Sequence, residues 1–452
     1  MYIRDTIAAI CTPVGEGGIG IVRISGDDAA RIGAAIFKAR TNGGFPSHRF
    51  CYGSVVDPYG EGIDEGFAVF MQAPNSYTRE DVFEIQCHGG ILVTRKVLEQ
   101  ALASGARLAA PGEFTKRAFL NGRIDLLQAE AVIDVIRSKT EAALRMAEHQ
   151  REGLLSERLT GIRDAVRQVL AMVEAHIDFP DEDIDLPVVE ELKLSIGNAA
   201  EGVNAVLSTY REGRLLREGV SVAIAGKPNV GKSSLLNTLL REERAIVTET
   251  PGTTRDVIED VLNIEGLAVR LLDTAGIRET PDMVEQLGID LALGRISQAD
   301  LVLFVLDRSA PIDSDDLRIL SALQGLNLLL VRNKSDLPLL QVLPEPLQGV
   351  PAVDISTRTG EGIAELRHMI HATFISGGAI DSREFTALSQ ARHRDALLKA
   401  SDALARASKG LVSSELLEIL SVDLREALQA IGEVTGETTP DDVLELIFSR
   451  FC

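Results

Sequence analysis

The octapeptide GKPNVGKS at residues 226–233 constrains this 452-residue chain more than any other feature, because it stands between the apolar run VSVAIA and the helix-forming SLLNTLL. Strand, glycine-rich turn and helix in that order place backbone N–H groups and a helix N-terminus around an anion, and the glycines let a phosphate approach closely. Lys232 then reaches the terminal phosphates and Ser233 ligates magnesium, with Asn229, Val230, Gly231 and Ser234 completing the cradle. Around it, between about residues 217 and 378, the buried-strand runs VSVAIAG, LAVRLLDTAG, ADLVLFVLD and LNLLLVRNK alternate with helical stretches. This alternation predicts a mostly parallel sheet with ligand loops at its strand ends.

Three further elements follow at the spacing such a site requires. LLDTAG contributes Asp273, which can hold magnesium through a water, with Thr274 and Ala275 leading to Gly276, whose amide can face the departing phosphate. NKSD contributes Asn333 and Lys334, which secure base and loop. Its Asp336 can accept two hydrogen bonds from the N1 and 2-amino groups of guanine, a pair that adenine cannot offer. Ser356, opening STRTGEG, is expected to turn its backbone to the guanine carbonyl. Between the phosphate loop and DTAG, VTETPGTTRD offers threonine hydroxyls, of which Thr254 is the expected magnesium ligand. The position after DTAG, a glutamine in many GTPases, is Ile277, which cannot align water, so a cation or a carboxylate must do so. Arg278, Glu279, Asp282 and Glu285 are the candidates, and the residues alone do not choose among them.

The remainder of the chain is too long for one core, and roughly two to four domains are expected. Residues 1–120 read as an α/β unit with strands in GIGIVRIS, GFAVFM and VFEIQCHGG and a helix over about 91–104. Residues 121–216 read as long helices broken around DFPDEDIDLP, and residues 379–452 as a second helical part with breaks at SKG and GETTP. The simplest arrangement inserts the nucleotide domain into a helical domain whose two parts pair to hide their apolar faces, although two separate bundles would also satisfy the pattern. The expected fold class is therefore multidomain, α/β and α.

Forty-six basic against 67 acidic residues give a net charge of -21, which disfavours a chain that simply coats nucleic acid but leaves room for a local basic patch. Cysteines 11, 51, 87 and 452 have no paired-ligand spacing, and no run of eighteen uncharged apolar residues occurs, so a soluble cytoplasmic chain without a disulfide framework or membrane span is expected. Cys87 and His88 are adjacent on a strand, face opposite sides, and make a poor nucleophile and base pair.

GKPNVGKSSLLN, VTETPGTTRD, LLDTAGIRET and NKSD resemble the hydrophobic-substituted GTPases related to translation factors. TPVGEGGIGIVRISG, SYTREDVFEIQCHGG, PGEFTKRAFLNGRIDLLQAEAV and the terminal IFSRFC are similar to the tRNA-modification GTPases of the MnmE (TrmE) family, over essentially the whole chain. That resemblance implies an N-terminal folate-binding and dimerisation domain, a helical domain and an inserted GTPase domain. It implies a homodimer working with the FAD-containing MnmG, in a heterotetrameric or larger complex, to add an aminomethyl or carboxymethylaminomethyl group to the wobble uridine of certain tRNAs. Potassium-stimulated hydrolysis follows too, with Asn229, Thr248, Thr250 and Thr253 matching the potassium site, and with Glu285 as the residue that positions water. Arg23, Glu80 and Arg123 match positions associated with 5-formyltetrahydrofolate or a related one-carbon folate, and Cys452 matches a functionally required cysteine after which the family's tail continues with isoleucine, glycine and lysine.

Two rival functions share the same loops. A regulatory or ribosome-associated GTPase would use the flanking regions as binding modules, and a nucleotide-gated structural protein would turn over little, which Ile277 makes credible. Folate binding and potassium-dependent turnover separate tRNA modification from both.

Overall fold

The computed structural model describes residues 5–40, 43–179, 189–243, 261–272, 296, 298–375, 386–412 and 417–451. These fall into two compact units, one comprising the N-terminal part through Ile133 with the tail from Gly432, the other the described residues between Asp134 and Ile431.

The first unit is built on a seven-stranded sheet ordered β3-β4-β5-β6-β2-β1-β7. Its strands are β1 (Ile7–Ile10), β2 (Gly17–Ser25), β3 (Phe37–Ala39), β4 (Phe50–Val56), β5 (Gly62–Met71), β6 (Val82–Gly89) and β7 (Arg107–Leu108). All neighbours are antiparallel except β1 and β7. Alternation along β2 and β6 sends Val22, Ile24, Phe83 and Ile85 to one face, where they pack with Ile32 of α1 (Ala29–Ile36) and with Val97 and Ala101 of α2 (Ile91–Ala103). The same alternation buries Cys87 and exposes His88, which pairs with Asp64 at 2.8 Å. Burial pushes the Cys87 thiol up to about 11, so at neutral pH it is a packing group and no nucleophile.

Beyond the sheet, α3 (Glu113–Leu120) and α4 (Leu126–Arg137) receive the chain's tail, α14 (Asp441–Phe448). Leu126, Ala129 and Ile133 form one apolar cluster with Leu444, Phe448 and Phe451. The C-terminal residues thus complete the core of the N-terminal unit.

The second unit holds a six-stranded sheet ordered β13-β12-β11-β8-β10-β9. Its strands are β8 (Val220–Ala225), β9 (Val261–Ile264), β10 (Leu267–Leu272), β11 (Leu301–Asp307), β12 (Leu328–Asn333) and β13 (Ala352–Asp354). Every pairing is parallel except the β9–β10 hairpin. All six residues of β8 are buried, as a strand covered on both faces requires. The chain runs from β8 toward β10 on one side and from β11 toward β13 on the other, so the strand order reverses at β8 and opens a crevice at its carboxyl end. The helix α9 (Lys232–Glu243) follows β8, α10 (Ser314–Ala322) joins β11 to β12, and α11 (Ile363–Phe374) follows β13.

Among the described residues, α4 is followed before this sheet by α5 (Glu141–Glu152), α6 (Leu154–Asp178), α7 (Val189–Ser208) and α8 (Tyr210–Glu218), and α12 (Ala391–Val412) and α13 (Leu417–Thr435) lie between α11 and the tail. The parts before and after the sheet pair directly. Gln150 Nε2 donates to the Ala387 carbonyl at 2.6 Å, the Leu388 N–H donates to Thr209 Oγ1 at 3.0 Å, and Arg425 meets Glu174 at 2.8 Å. Two separate bundles are thereby excluded. Two local expectations are corrected. Ser408, Lys409 and Gly410 do not break a helix but lie inside α12, since one helical glycine costs only about 1 kcal/mol against tertiary packing. Conversely, the run from Leu126 to Leu215 is interrupted at Gly153, whose φ of 95° ends α5 and starts α6. Among the described residues no helix is long and apolar enough to cross a membrane.

Arg117 on α3 is the most demanding buried group of the first unit. It is 2% exposed and donates to Asp5 Oδ1 at 2.6 Å, Glu113 Oε1 at 2.9 Å, the Asp5 carbonyl at 2.7 Å and Glu80 at 3.2 Å. Removing the guanidinium from such a set leaves partly buried carboxylates with less compensation. Hydrogen bonding from Arg107, then Arg117, holds the Asp5 carboxyl below its ordinary 3.8. Burial opposes ionisation of Glu113, but hydrogen bonds from Arg107, the Ala110 amide and Arg117 outweigh it and hold that carboxyl low as well. Both groups bind protons more readily in the unfolded chain, so their contribution is complete above their ordinary values and is lost as pH falls through the depressed ones. Arg117→Met is expected to cost about 3 kcal/mol in guanidinium unfolding at pH 7 followed by circular dichroism, with the gap from the parent narrowing below about pH 4.

Candidate functional site

The phosphate loop leaves β8 in a conformation that few residues tolerate: Gly226 has φ 148°, Asn229 65° and Gly231 99°. At Gly231 the space is closed as well, because an added Cβ would come within 2.2 Å of Asn333 Nδ2. The reason is a direct tie between the phosphate loop and NKSD, in which Asn333, 1% exposed, donates Nδ2 to the Val230 carbonyl at 2.8 Å and accepts the Thr357 N–H at Oδ1, 3.2 Å away. Parallel pairing of β8, β11 and β12 brings these loops to the same sheet edge.

Lys232 begins α9 and folds back over the loop, donating Nζ to the carbonyls of Gly226 at 2.7 Å and Lys227 at 2.8 Å. No carboxylate pairs with it among the described residues, and burial pushes its pKa below the ordinary lysine value. A partly buried cation without an acid, beside loop amides and a helix N-terminus, is an anion site that a phosphate chain would neutralise. Ser233 and Ser234 follow on the first turn of α9, both exposed, and Asn229 is exposed at the tip of the loop.

In the guanine loop, Lys334 has φ 68° and donates to Asp307 Oδ2 at 2.6 Å. Asp336 Oδ1 accepts the Ser356 hydroxyl at 2.7 Å. Ser356 departs from expectation: its N–H is committed to the Glu361 carbonyl at 2.9 Å, so it serves the loop through its hydroxyl, by orienting Asp336, and not through its amide. The turn 356–361 closes on itself before it can present that N–H to a base.

In the first unit, Arg23 and Arg123 converge on one aromatic ring. The Arg23 guanidinium lies 5.3 Å from the centroid of Tyr77 and 5.5 Å from that of Phe114, with Nε donating to Glu84 at 2.6 Å. The Arg123 guanidinium lies 4.8 Å from Tyr77 and donates to the Tyr77 carbonyl at 3.0 Å. Glu80 is not open in the way a bare acceptor would be, since it takes the Ser25 hydroxyl at 2.7 Å and the Arg117 guanidinium. Its carboxylate is held in one orientation by the buried network.

A family model described as the MnmE helical domain matches residues 126–452, and one described as the N-terminus of the GTP-binding protein TrmE matches residues 6–123. The tRNA modification GTPase MnmE of Geobacter sulfurreducens is 61% identical over 453 residues, covering 100% of this chain and 99% of that protein. The proteins of the same name from Geobacter metallireducens and Carboxydothermus hydrogenoformans are 62% and 48% identical, again across 100% of this chain and 99% of theirs. The chain belongs to the MnmE family.

Several residues singled out in the sequence, by their own motifs or by the MnmE resemblance, lie outside the described residues: Thr248, Thr250, Thr253, Thr254, Asp273, Thr274, Ala275, Gly276, Ile277, Arg278, Glu279, Asp282, Glu285 and Cys452. The magnesium and potassium sets are therefore represented by Ser233 and Asn229 alone. Sequence reasoning missed Tyr77 and Arg117 in this MnmE chain. Tyr77 sits in SYTRED, beside Glu80, and an aromatic next to a candidate carboxylate was a usable signal. Arg117 carried none, because only the fold brings α3 to Asp5 and Glu80.

Gly231→Ala is expected to abolish detectable binding of a fluorescent GDP while leaving the far-ultraviolet circular dichroism spectrum unchanged, since both its φ and its contact with Asn333 forbid a methyl group.

Proposed function

We propose that this chain binds GTP at the crevice beside β8 and hydrolyses it to drive modification of the wobble uridine of tRNA, in company with an FAD-containing MnmG partner. GTP hydrolysis within the tRNA modification machinery follows from membership of the MnmE family. The observation that carries the assignment to this site is Lys232, a partly buried ammonium without an acidic neighbour among the described residues, one loop away from an Asn333 and Asp336 pair built to read guanine.

The chemistry assigned to the chain's own residues is electrostatic and positional. Lys232 stabilises charge on the terminal phosphates and Asp336, steadied by Ser356, selects guanine. Ser233, Thr254 and Asp273 would hold magnesium, and the Gly276 amide would serve the departing phosphate. Asn229, Thr248, Thr250 and Thr253 would hold potassium, and the two cations would supply, when bound, positive charge toward the phosphates where other GTPases use an arginine. Glu285 orients water in place of the glutamine that Ile277 replaces, and Cys452 belongs to the modification chemistry.

The remaining assignments share this reading. Residues 1–120 form the folate-binding and dimerisation domain, 121–216 and 379–452 the helical domain, and 217–378 the GTPase domain of a cytoplasmic homodimer. Arg23 and Arg123 pair with the carboxylates of 5-formyltetrahydrofolate or a related one-carbon folate, and Glu80 receives hydrogen bonds from its pterin. Tyr77 orients both arginines through cation–π contact.

Phosphate release from GTP in potassium, compared with sodium at equal ionic strength, tests the mechanism. Stimulation of about tenfold or more is expected, and equal rates in the two salts would remove the potassium role. Asp336→Asn tests base recognition, because an amide can donate to the 2-carbonyl of xanthine where the carboxylate accepted from the 2-amino group of guanine. The variant is expected to lose about a hundredfold in GTP affinity and to gain in affinity for xanthosine triphosphate.

A further inference from the structure

We propose that the acidic segment from Asp307 to Asp316 is a bracket that sets the position of the phosphate loop relative to the guanine loop, with Lys227 as a positioning residue for phosphate binding. This rests on the nucleotide site proposed above and adds residues that neither the motifs nor the site's own chemistry assign.

Lys227 follows the first glycine of the loop, yet its side chain does not join the anion cradle. Its Nζ donates to Asp313 Oδ2 at 2.7 Å and to Asp316 Oδ2 at 2.9 Å. Asp313 is the N-cap of α10 and Asp316 its third residue. They form a capping box in which Asp313 Oδ1 accepts the N–H groups of Asp315 and Asp316 and Asp316 Oδ2 accepts the N–H of Asp313. Asp316 is 3% exposed, and its other oxygen has no partner among the described residues, so Oδ2 bears the compensation of a buried charge. Lys227 is the cation that supplies it.

The same residue is bound at its other end. The Lys227 carbonyl accepts Lys232 Nζ at 2.8 Å, so one peptide unit links the phosphate-binding ammonium to the start of α10. At the far end of the segment Asp307 accepts Lys334 Nζ at 2.6 Å and holds the turn through Ser309, while the Arg308 N–H donates to the Asn333 carbonyl at 2.9 Å. One loop, leaving the central strand β11, therefore grips the phosphate loop through Lys227 and the guanine loop through Lys334.

A phosphate loop bound on one side only could still fold, but its amides would be less preorganised for the β-phosphate, and the loss should scale with the length of the phosphate chain. The test uses the full chain with magnesium, fluorescent GDP titrated directly, and GMP by competition. Lys227→Met is expected to raise the GDP Kd about tenfold while changing that of GMP by less than about twofold, and Lys227→Arg, which keeps the ion pairs, is expected to restore most of the affinity. Asp313→Asn, at the exposed half of the pair, should give a smaller loss in the same direction, and it stands in if Lys227→Met proves unstable. A GDP affinity within about twofold of the parent in both Lys227→Met and Asp313→Asn overturns the bracket, as does an equal loss for GMP and GDP, the signature of a damaged domain. Failure of the parent chain to bind GDP overturns the nucleotide site itself, and the bracket with it.

Discussion

Burial of β8 on both faces is the constraint from which the rest of the second unit follows. A strand with all six residues buried can satisfy its backbone only between two neighbours, and β10 and β11 provide them in parallel. Parallel strands need crossover helices, and the right-handed return of each crossover leaves the strand ends pointing the same way. The phosphate loop and the guanine loop must then lie at one edge, close enough for Asn333 to bond the Val230 carbonyl. The site is a consequence of strand order before it is a matter of individual side chains.

Charge is arranged in opposite ways in the two units. The second unit leaves Lys232 without a carboxylate among the described residues, which costs stability until an anion arrives and makes the site responsive to phosphate. The first unit surrounds Arg117 with Asp5, Glu80 and Glu113, so its buried cation is paired with acids of the chain itself. The first arrangement suits a ligand that comes and goes. The second suits a scaffold that must hold one carboxylate, Glu80, in a fixed direction while Arg23 and Arg123 are steadied around Tyr77.

The nucleotide motifs were legible in the sequence because each is local. GKPNVGKS, NKSD and their flanking apolar runs specify strand, turn and helix within a dozen residues, and the strands and the helix at 91–103 appear where periodicity places them. Asn333 and Lys334 were legible as residues, but not their partners, Val230 and Asp307, because hydrogen bonds across a sheet edge depend on strand order. Ser356 was misread in its chemistry for the same reason, since only the closed turn shows that its N–H is spent on Glu361.

The sequence by itself determined the nucleotide class, the α/β and α composition and, through long-range resemblance, the MnmE family, since short-range spacing and overall similarity survive without coordinates. Only the tertiary structure decided that the tail completes the N-terminal core through Phe448 and Phe451, that the helices on either side of the sheet pair, and that Arg117 meets Glu80 and Lys227 meets Asp316. Each of these joins residues that chain distance separates and that the energetics of burial bring together: an apolar face or a buried charge must find its complement wherever in the chain the complement lies.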